Sequence, residues 1–248
     1  VLSKKTFDNF RIQVYIISEI FHSSGIMNIP TPTIIRLCQI HRMLDQCERA
    51  GKKRVSSTQI GTELGIGAHN VRKDINYLGE VGESGAGYGI VKLKACIEEQ
   101  LGIDKKKKVC VVGLGNLGMA LIEHAAKNRE YDIVAGFDSS INRLETVQTS
   151  MPVYPSSDIR EIVAAKGIEL AMIAVPVPAA QEIADRLIAA GIKGILNFAP
   201  TTIISNRKDV IVRNVDVDGE VRILSAMIRA SNERLDSSRE LNKEHRVE

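Results

Sequence analysis

The sequence predicts an α/β chain of two domains, a winged helix-turn-helix ahead of a Rossmann sheet, followed by a terminal helix. Three observations carry that expectation. An apolar run, Val109 to Val112, ends in a G-x-G-x-x-G loop that opens a helical pattern. Strand and helix patterns alternate from there to Val215, which means a parallel sheet covered on both faces. Ahead of them, two short helical patterns flank a glycine-containing turn. The expected boundaries are an extension at 1–26, a winged-helix domain at 27–102, a Rossmann domain at 103–221, and a terminal helix with its tail at 222–248.

The chain has 248 residues, 44% hydrophobic and 25% charged, enough for two modest cores. Net charge is only +3, so nucleic-acid binding has to come from a local basic patch. Cys38, Cys47, Cys96 and Cys110 form no C-x-x-C pair and no zinc spacing, so they read as reduced thiols of a cytoplasmic protein without a bound metal. No apolar run is long enough to span a bilayer, and the N-terminus shows no signal-peptide pattern, so no membrane partner is expected.

In residues 1–26 the apolar positions between Phe10 and Phe21 follow no clear period, so strand and short helix both stay open. The stretch is read either as an extra element or as sequence upstream of a start at Met27. From Thr33 to Ala50, Ile34, Leu37, Cys38, Ile40, Met43, Leu44 and Cys47 recur at helical spacing, and Gly51 is the stop. Lys52-Lys53-Arg54 is a basic turn, and Ser56-Ser57 can cap the short helix Thr58–Gly65. After the turn Ile66-Gly67-Ala68, a second helix runs from His69 to Leu78. Its Val71, Ile75 and Leu78 face inward, and Asn70, Arg72, Lys73, Asn76 and Tyr77 face outward. Glycines at 82, 85, 87 and 89 punctuate a short wing, and Val91–Leu101 is a further helix before the linker Lys105–Lys108.

That second helix has the side chains that reach phosphates and base edges. With Arg36, Arg42, Lys52, Lys53 and Arg54 in the same small domain, it points to double-stranded DNA. The candidate contacts are Arg36, Lys53, Arg54, Ser56 and Ser57, then Asn70, Arg72, Lys73, Asn76 and Tyr77, and in the wing Gly85, Gly87 and Tyr88.

The second domain points to a dinucleotide. Gly113 allows the tight turn, Gly115 lets a pyrophosphate approach backbone, and Gly118 lets helix and strand pack closely. Leu114, Asn116 and Leu117 complete the loop, whose N–H groups face anions at a helix N-terminus. Ile133–Phe137 reads as the next strand and ends in Asp138, placed to accept ribose hydroxyls and repel a 2′-phosphate, which favours NAD(H) over NADP(H). Ile159–Lys166 and Ala179–Ala190 are helices; Leu170–Val175, Gly194–Phe198 and Val210–Val215 are strands. Val175, Pro176, Asn197 and Phe198 then lie at strand ends near the nicotinamide half, where plain turn chemistry accounts for them equally well. The helix Val221–Leu241 carries Ile223, Leu224, Met227 and Ile228, which pack either on a second subunit or back on their own domain.

Several of these stretches resemble the Rex family of bacterial redox-sensing repressors. Val71-Arg72-Lys73-Asp74-Ile75-Asn76-Tyr77-Leu78-Gly79 is similar to that family's recognition helix, and Gly85-Ala86-Gly87-Tyr88 to its wing. Val112–Gly118, Phe137-Asp138, Ala189–Pro200 and Asn214-Val215-Asp216 match further family motifs in order, so the resemblance covers about Ile29 to Ile228. It implies a homodimer with a swapped last helix, in which NADH binding closes the dimer and releases operator DNA while no chemistry is done on the cofactor. It also implies an interdomain switch, to which Arg42 and Asp216 correspond here, with His124 in the third position. The chain departs from the family's usual residues at Ser84, where a cation precedes the wing, at His124, where members often have Tyr, and at Val217, where a larger side chain is usual. The rival readings are an NAD-dependent dehydrogenase, which needs a catalytic acid or base that the five histidines do not supply, and a sister regulator with a weakened or lost NADH response.

Overall fold

The computed structural model describes residues 29–79, 81, 87–127 and 131–244, the last of these through 233 with side chains. The chain divides after Lys107 into two compact units.

In the first unit, α1 (Thr31–Arg49) starts on Pro30, whose carbonyl accepts from Thr33 N at 2.8 Å, with a second proline in the first turn where a missing N–H costs nothing. Its stripe Leu37, Ile40, Met43, Leu44 and Cys47 is buried. Then come β1 (Arg54–Val55), α2 (Ser57–Leu64), α3 (Ala68–Asn76), β2 (Tyr88–Gly89) and α4 (Ile90–Leu101). Ser56 and Gln59 form a reciprocal capping box at the start of α2, as the serine pair led one to expect. The wing strand β2 pairs antiparallel with β1, Arg54 opposite Gly89 and Val55 opposite Tyr88. Leu37, Ile40, Leu44, Ile60, Val71, Ile75, Leu93 and Ile97 fill one core beneath α2 and α3.

The second unit runs β3 (Lys107–Val112), α5 (Asn116–Lys127), β4 (Tyr131–Asp138), α6 (Ile141–Thr146), β5 (Val153–Pro155), a 3₁₀ turn, α7 (Ile159–Lys166), β6 (Leu170–Ile173), α8 (Val177–Ala189), β7 (Gly194–Asn197), β8 (Ile211–Asn214) and α9 (Val217–Glu244). The sheet order is β5-β4-β3-β6-β7-β8, so the strand order reverses between β3 and β6. A crevice for a ligand opens at that reversal. Side chains alternate along β3: Cys110 and Val112 join Phe137, Ile173, Val163 and Leu187 on one face, and Val109 and Val111 join Ile122 and Met172 on the other. The short β5 and α6 escape the sequence pattern, because a three-residue edge strand ending in Pro155 carries no periodicity.

Val221, Ile223, Leu224, Met227 and Ile228 on α9 are 52–63% exposed, so α9 does not fold back on its own domain. Among the described residues no helix is long and apolar enough to cross a membrane, and no group of three or more His, Cys, Asp and Glu could hold a metal ion. Cys110 is wholly buried, and burial pushes its thiol up to about 12. It is therefore protonated at neutral pH, and alkylation of the folded protein at pH 8 is expected to modify the surface residue Cys38 while sparing Cys110 until denaturant is added. Mass mapping of the modified peptides checks this; early labelling of Cys110 would contradict the burial.

Candidate functional site

The glycine loop joins β3 to α5 beside the point where the strand order reverses. Gly113 has φ +95°, and its N–H bonds the Phe137 carbonyl at 2.8 Å. Val175 Cγ1 lies 3.0 Å from the position a Cβ would take on Gly113, so the turn that follows β6 reaches the loop. At Gly118 a Cβ would stand 1.9 Å from the Gly113 carbonyl oxygen, a contact only glycine avoids. Gly115 is different: among the described residues beyond its chain neighbours, the one heavy atom within 4 Å of where its Cβ would stand is Arg143 Nη1, at 3.5 Å. Backbone with open space above it, next to the exposed Asn116 and Leu117 that start α5, is the cradle a pyrophosphate needs. The loop fits the group.

Leu114 does other work. Its side chain is buried against Gly136, and its N–H donates to Asp138 Oδ2 at 2.8 Å. The expectation that Leu114 serves the ligand is corrected on this ground: its donor is committed to the loop's own fixation. Asp138 itself, 7% exposed, also accepts the Ser140 N–H at 2.9 Å. A carboxylate has about four acceptor sites, so capacity for a ribose hydroxyl remains.

On the other side of the crevice, Pro176 is exposed ahead of α8 and Phe198 is half-buried at the end of β7. Asn197, expected at the nicotinamide, is wholly buried. Its amide donates to the Thr201 carbonyl at 2.7 Å and to Asn214 Oδ1 at 2.9 Å, and its Oδ1 accepts the Ala199 N–H at 2.9 Å. Both ends are spent inside the loop, so Asn197 positions residues 198–203 and does not face a ligand. Asn214, singled out in the sequence only as part of a family-like motif, shares that task by accepting the Ile203 N–H at 3.0 Å.

In the first unit, Arg72, Lys73, Asn76 and Tyr77 are exposed on or just after α3, Asn70 is half-buried, and Lys53 and Arg54 are exposed on the turn into β1. Arg72 Nη1 donates to Ser57 Oγ at 3.1 Å, and Arg54 Nη2 to the Gly87 carbonyl at 2.9 Å, so two cations of the face are oriented by neighbours. Ser56 is committed to the cap of α2. Tyr88 packs partly into the core. Gly85, with Ser84, lies outside the described residues.

Arg36 is part-exposed, but its guanidinium is already paired. Its Nε and Nη2 hold the two oxygens of Asp74 at 2.5 and 2.7 Å, and Thr33 Oγ1 donates to the same carboxylate at 2.9 Å. Asp74 is 1% exposed, and its hydrogen bond raises the Arg36 pKa above the ordinary value. The expectation that Arg36 contacts DNA is corrected: a bidentate partner on the buried side of α3 holds the guanidinium. Asp74 was legible in principle, since it falls on the inward stripe of Val71, Ile75 and Leu78, and a carboxylate there requires a partner.

Of the remaining residues matched to a switch, Arg42 is exposed on α1, and His124 is exposed on α5. Asp216 caps α9, with Oδ1 accepting the Gly219 N–H at 2.8 Å.

Residues 104–201 match the family model described as a CoA binding domain, and residues 28–76 match Put_DNA-bind_N, a DNA-binding protein N-terminus. The chain is similar to the redox-sensing transcriptional repressor Rex of Listeria welshimeri, at 38% identity over 79% of this chain and 91% of the relative. It is also similar to solved structures of RSP, a Rex-family repressor. The complex of RSP with β-NAD+ and operator DNA matches at TM-score 0.76 and 28% identity, over 86% of this chain and 97% of that one. The complex with β-NADH matches at TM-score 0.73 and 27% identity, over 86% and 99%.

Proposed function

The chain belongs to the Rex family of redox-sensing transcriptional repressors, and we propose that it binds operator DNA and reads the NADH/NAD+ balance, NADH releasing the DNA. The observation that carries the reading is the open backbone over Gly115, in one chain with a helix that presents Arg72, Lys73, Asn76 and Tyr77 to solvent. As a repressor the protein performs no chemistry on the nucleotide.

In this reading residues 27–102 form the DNA-binding domain, 103–221 bind the nucleotide through Gly113–Gly118 and Asp138, and 222–248 complete a homodimer. The exposed apolar face of α9 supports the dimer, because a stripe of that length is not left in water. Two copies of α3 enter successive major grooves of a pseudo-palindrome, with Lys53, Arg54, Ser57 and the wing around Gly87 on the backbone. Arg42, His124 and Asp216 supply the switch. Val175, Pro176 and Phe198 line the nicotinamide side, where an apolar wall disfavours the charged oxidised ring. A hundred-fold loss of operator affinity on NADH binding requires about 2.7 kcal/mol of coupling.

The test is fluorescence anisotropy of the full chain on palindromic operator DNA at fixed salt, titrated separately with NADH, NAD+ and, as a control, CoA. Release by NADH alone supports the proposal; binding that ignores all three ligands defeats the sensor and leaves a regulator of another kind. In the same assay Arg72→Ala is expected to weaken operator binding by about 1–3 kcal/mol without changing NADH affinity. Unchanged operator affinity would remove Arg72 from the interface.

A further inference from the structure

The start of α3 carries a ring that neither the inward stripe of that helix nor its cations account for. His69 is the second residue of α3 and is exposed. With Lys73 and Asn76 it stands at i, i+4 and i+7, and Arg72 lies beside them. These four positions form one outward stripe, opposite the buried Val71, Asp74 and Ile75. Asn70, the polar residue next in the chain, is half-buried on the flank.

Side chains on a helix lean towards its N-terminus, and the N-terminal residues of a recognition helix are the ones that meet base edges. His69 leans far enough to pass the first residue of α3. Its Cε1 and Nδ1 lie 2.9 and 3.0 Å from where a Cβ on Gly67 would stand. Gly67 is the N-cap, at φ −60° and ψ 133°, a conformation that any residue adopts, and no side chain caps the helix. Its backbone therefore does not require glycine. Serine or asparagine would cap the helix better, but a Cβ at 67 would push the ring aside. The glycine makes room for the imidazole at the tip of the helix.

We propose that His69 is a specificity-determining residue of the DNA interface, its ring seated over Gly67 so that it enters the major groove ahead of the helix and hydrogen-bonds a base edge. Guanine is the base it suits, because N7 and O6 offer the ring N–H two acceptors in that groove. This rests on the reading of α3 as the helix that enters operator DNA, and it adds a base contact to the cations of that helix.

In the experiment the full chain, His69→Ala and Gly67→Ala each select sites from a pool of palindromic duplexes with randomised half-sites. Each protein is then titrated by fluorescence anisotropy against the operator the parent selects and against a duplex of unrelated sequence. The parent is expected to select a G·C pair at one half-site position, and His69→Ala to lose that preference alone. His69→Ala should bind the parent's operator about ten-fold more weakly or worse, the size of a lost base contact, and unrelated DNA as the parent does. Gly67→Ala keeps the imidazole but displaces it, and should lose the same preference at parental Tm. Parental selectivity in either variant, or an equal loss on both duplexes, overturns the inference and leaves α3 as the DNA-binding helix. If the parent itself selects no sequence, the operator reading fails as well.

Discussion

Replacing Gly118 with alanine is expected to unfold the second unit at temperatures where the parent is stable, whereas the same change at Gly115 leaves stability nearly unmoved. The two glycines belong to one motif but meet different surroundings. A methyl at 118 would stand 1.9 Å from the Gly113 carbonyl oxygen and 3.4 Å from Val111 Cγ1. Neither the oxygen nor the start of α5 can give way without breaking the turn that Gly113 makes at φ +95°. Overpacking against backbone of this kind costs about 3 kcal/mol or more, the upper end for a single methyl. At 115 the methyl meets only the end of a half-exposed arginine, and the glycine has no positive φ to defend. Its cost is within about 0.5 kcal/mol. A larger side chain there, as in Gly115→Leu, occupies the space of the pyrophosphate and should abolish NADH binding while operator binding persists. Thermal unfolding and NADH titration of Gly118→Ala, Gly115→Ala and Gly115→Leu separate the packing role from the ligand role. An unchanged Tm for Gly118→Ala would break the packing argument, and parental NADH affinity in Gly115→Leu would break the loop assignment.

Those glycines were legible because the motif ties each to its own steric demand. The same holds for the helix pattern of α1, whose inward stripe needs only the 3.6 period, and for Ser56, whose capping box is written in four consecutive residues. What the sequence does not carry is the destination of a polar side chain. Arg36 looks like one more cation of a basic domain, and only the packing of α1 against α3 brings Asp74 within reach of it, 38 positions away. Asn197 at a strand end looks like a ligand contact, but its amide closes a loop on Thr201 and Asn214. Arg143 Nη1 stands 3.5 Å from Asp138, yet α6 has too few turns to show a period, so nothing in the sequence pattern aims its side chain there. Secondary structure follows local rules that a sequence displays; polar partnership is decided by elements far apart in the chain.

Arg36→Ala is expected to destabilise the first unit by about 3–5 kcal/mol, more than Asp74→Ala does, although Arg36 is the more exposed partner. The asymmetry follows from what each change leaves behind. Without Arg36, a carboxylate that is 1% exposed keeps only the Thr33 hydroxyl, and its charge has no route to water. Without Asp74, the guanidinium is already 29% exposed and turns outward to be hydrated. The double variant should be less damaging than the sum of the two, because once one partner is gone the other has no pair to lose. Arg36→Ala should also lose operator affinity, since Asp74 sits on α3 between Lys73 and Asn76 and the pair fastens that helix to α1. The loss would differ in kind from that of Arg72→Ala. Arg72 is exposed, its removal leaves Tm within about 2–4 °C of the parent by the rule for surface positions, and its effect appears only when DNA is added. Urea unfolding of the two single variants and the double variant, run beside the operator titration, tests this. If Arg36→Ala weakens DNA binding at parental stability, Arg36 is a DNA contact after all, and the buried pair is incidental to the recognition helix.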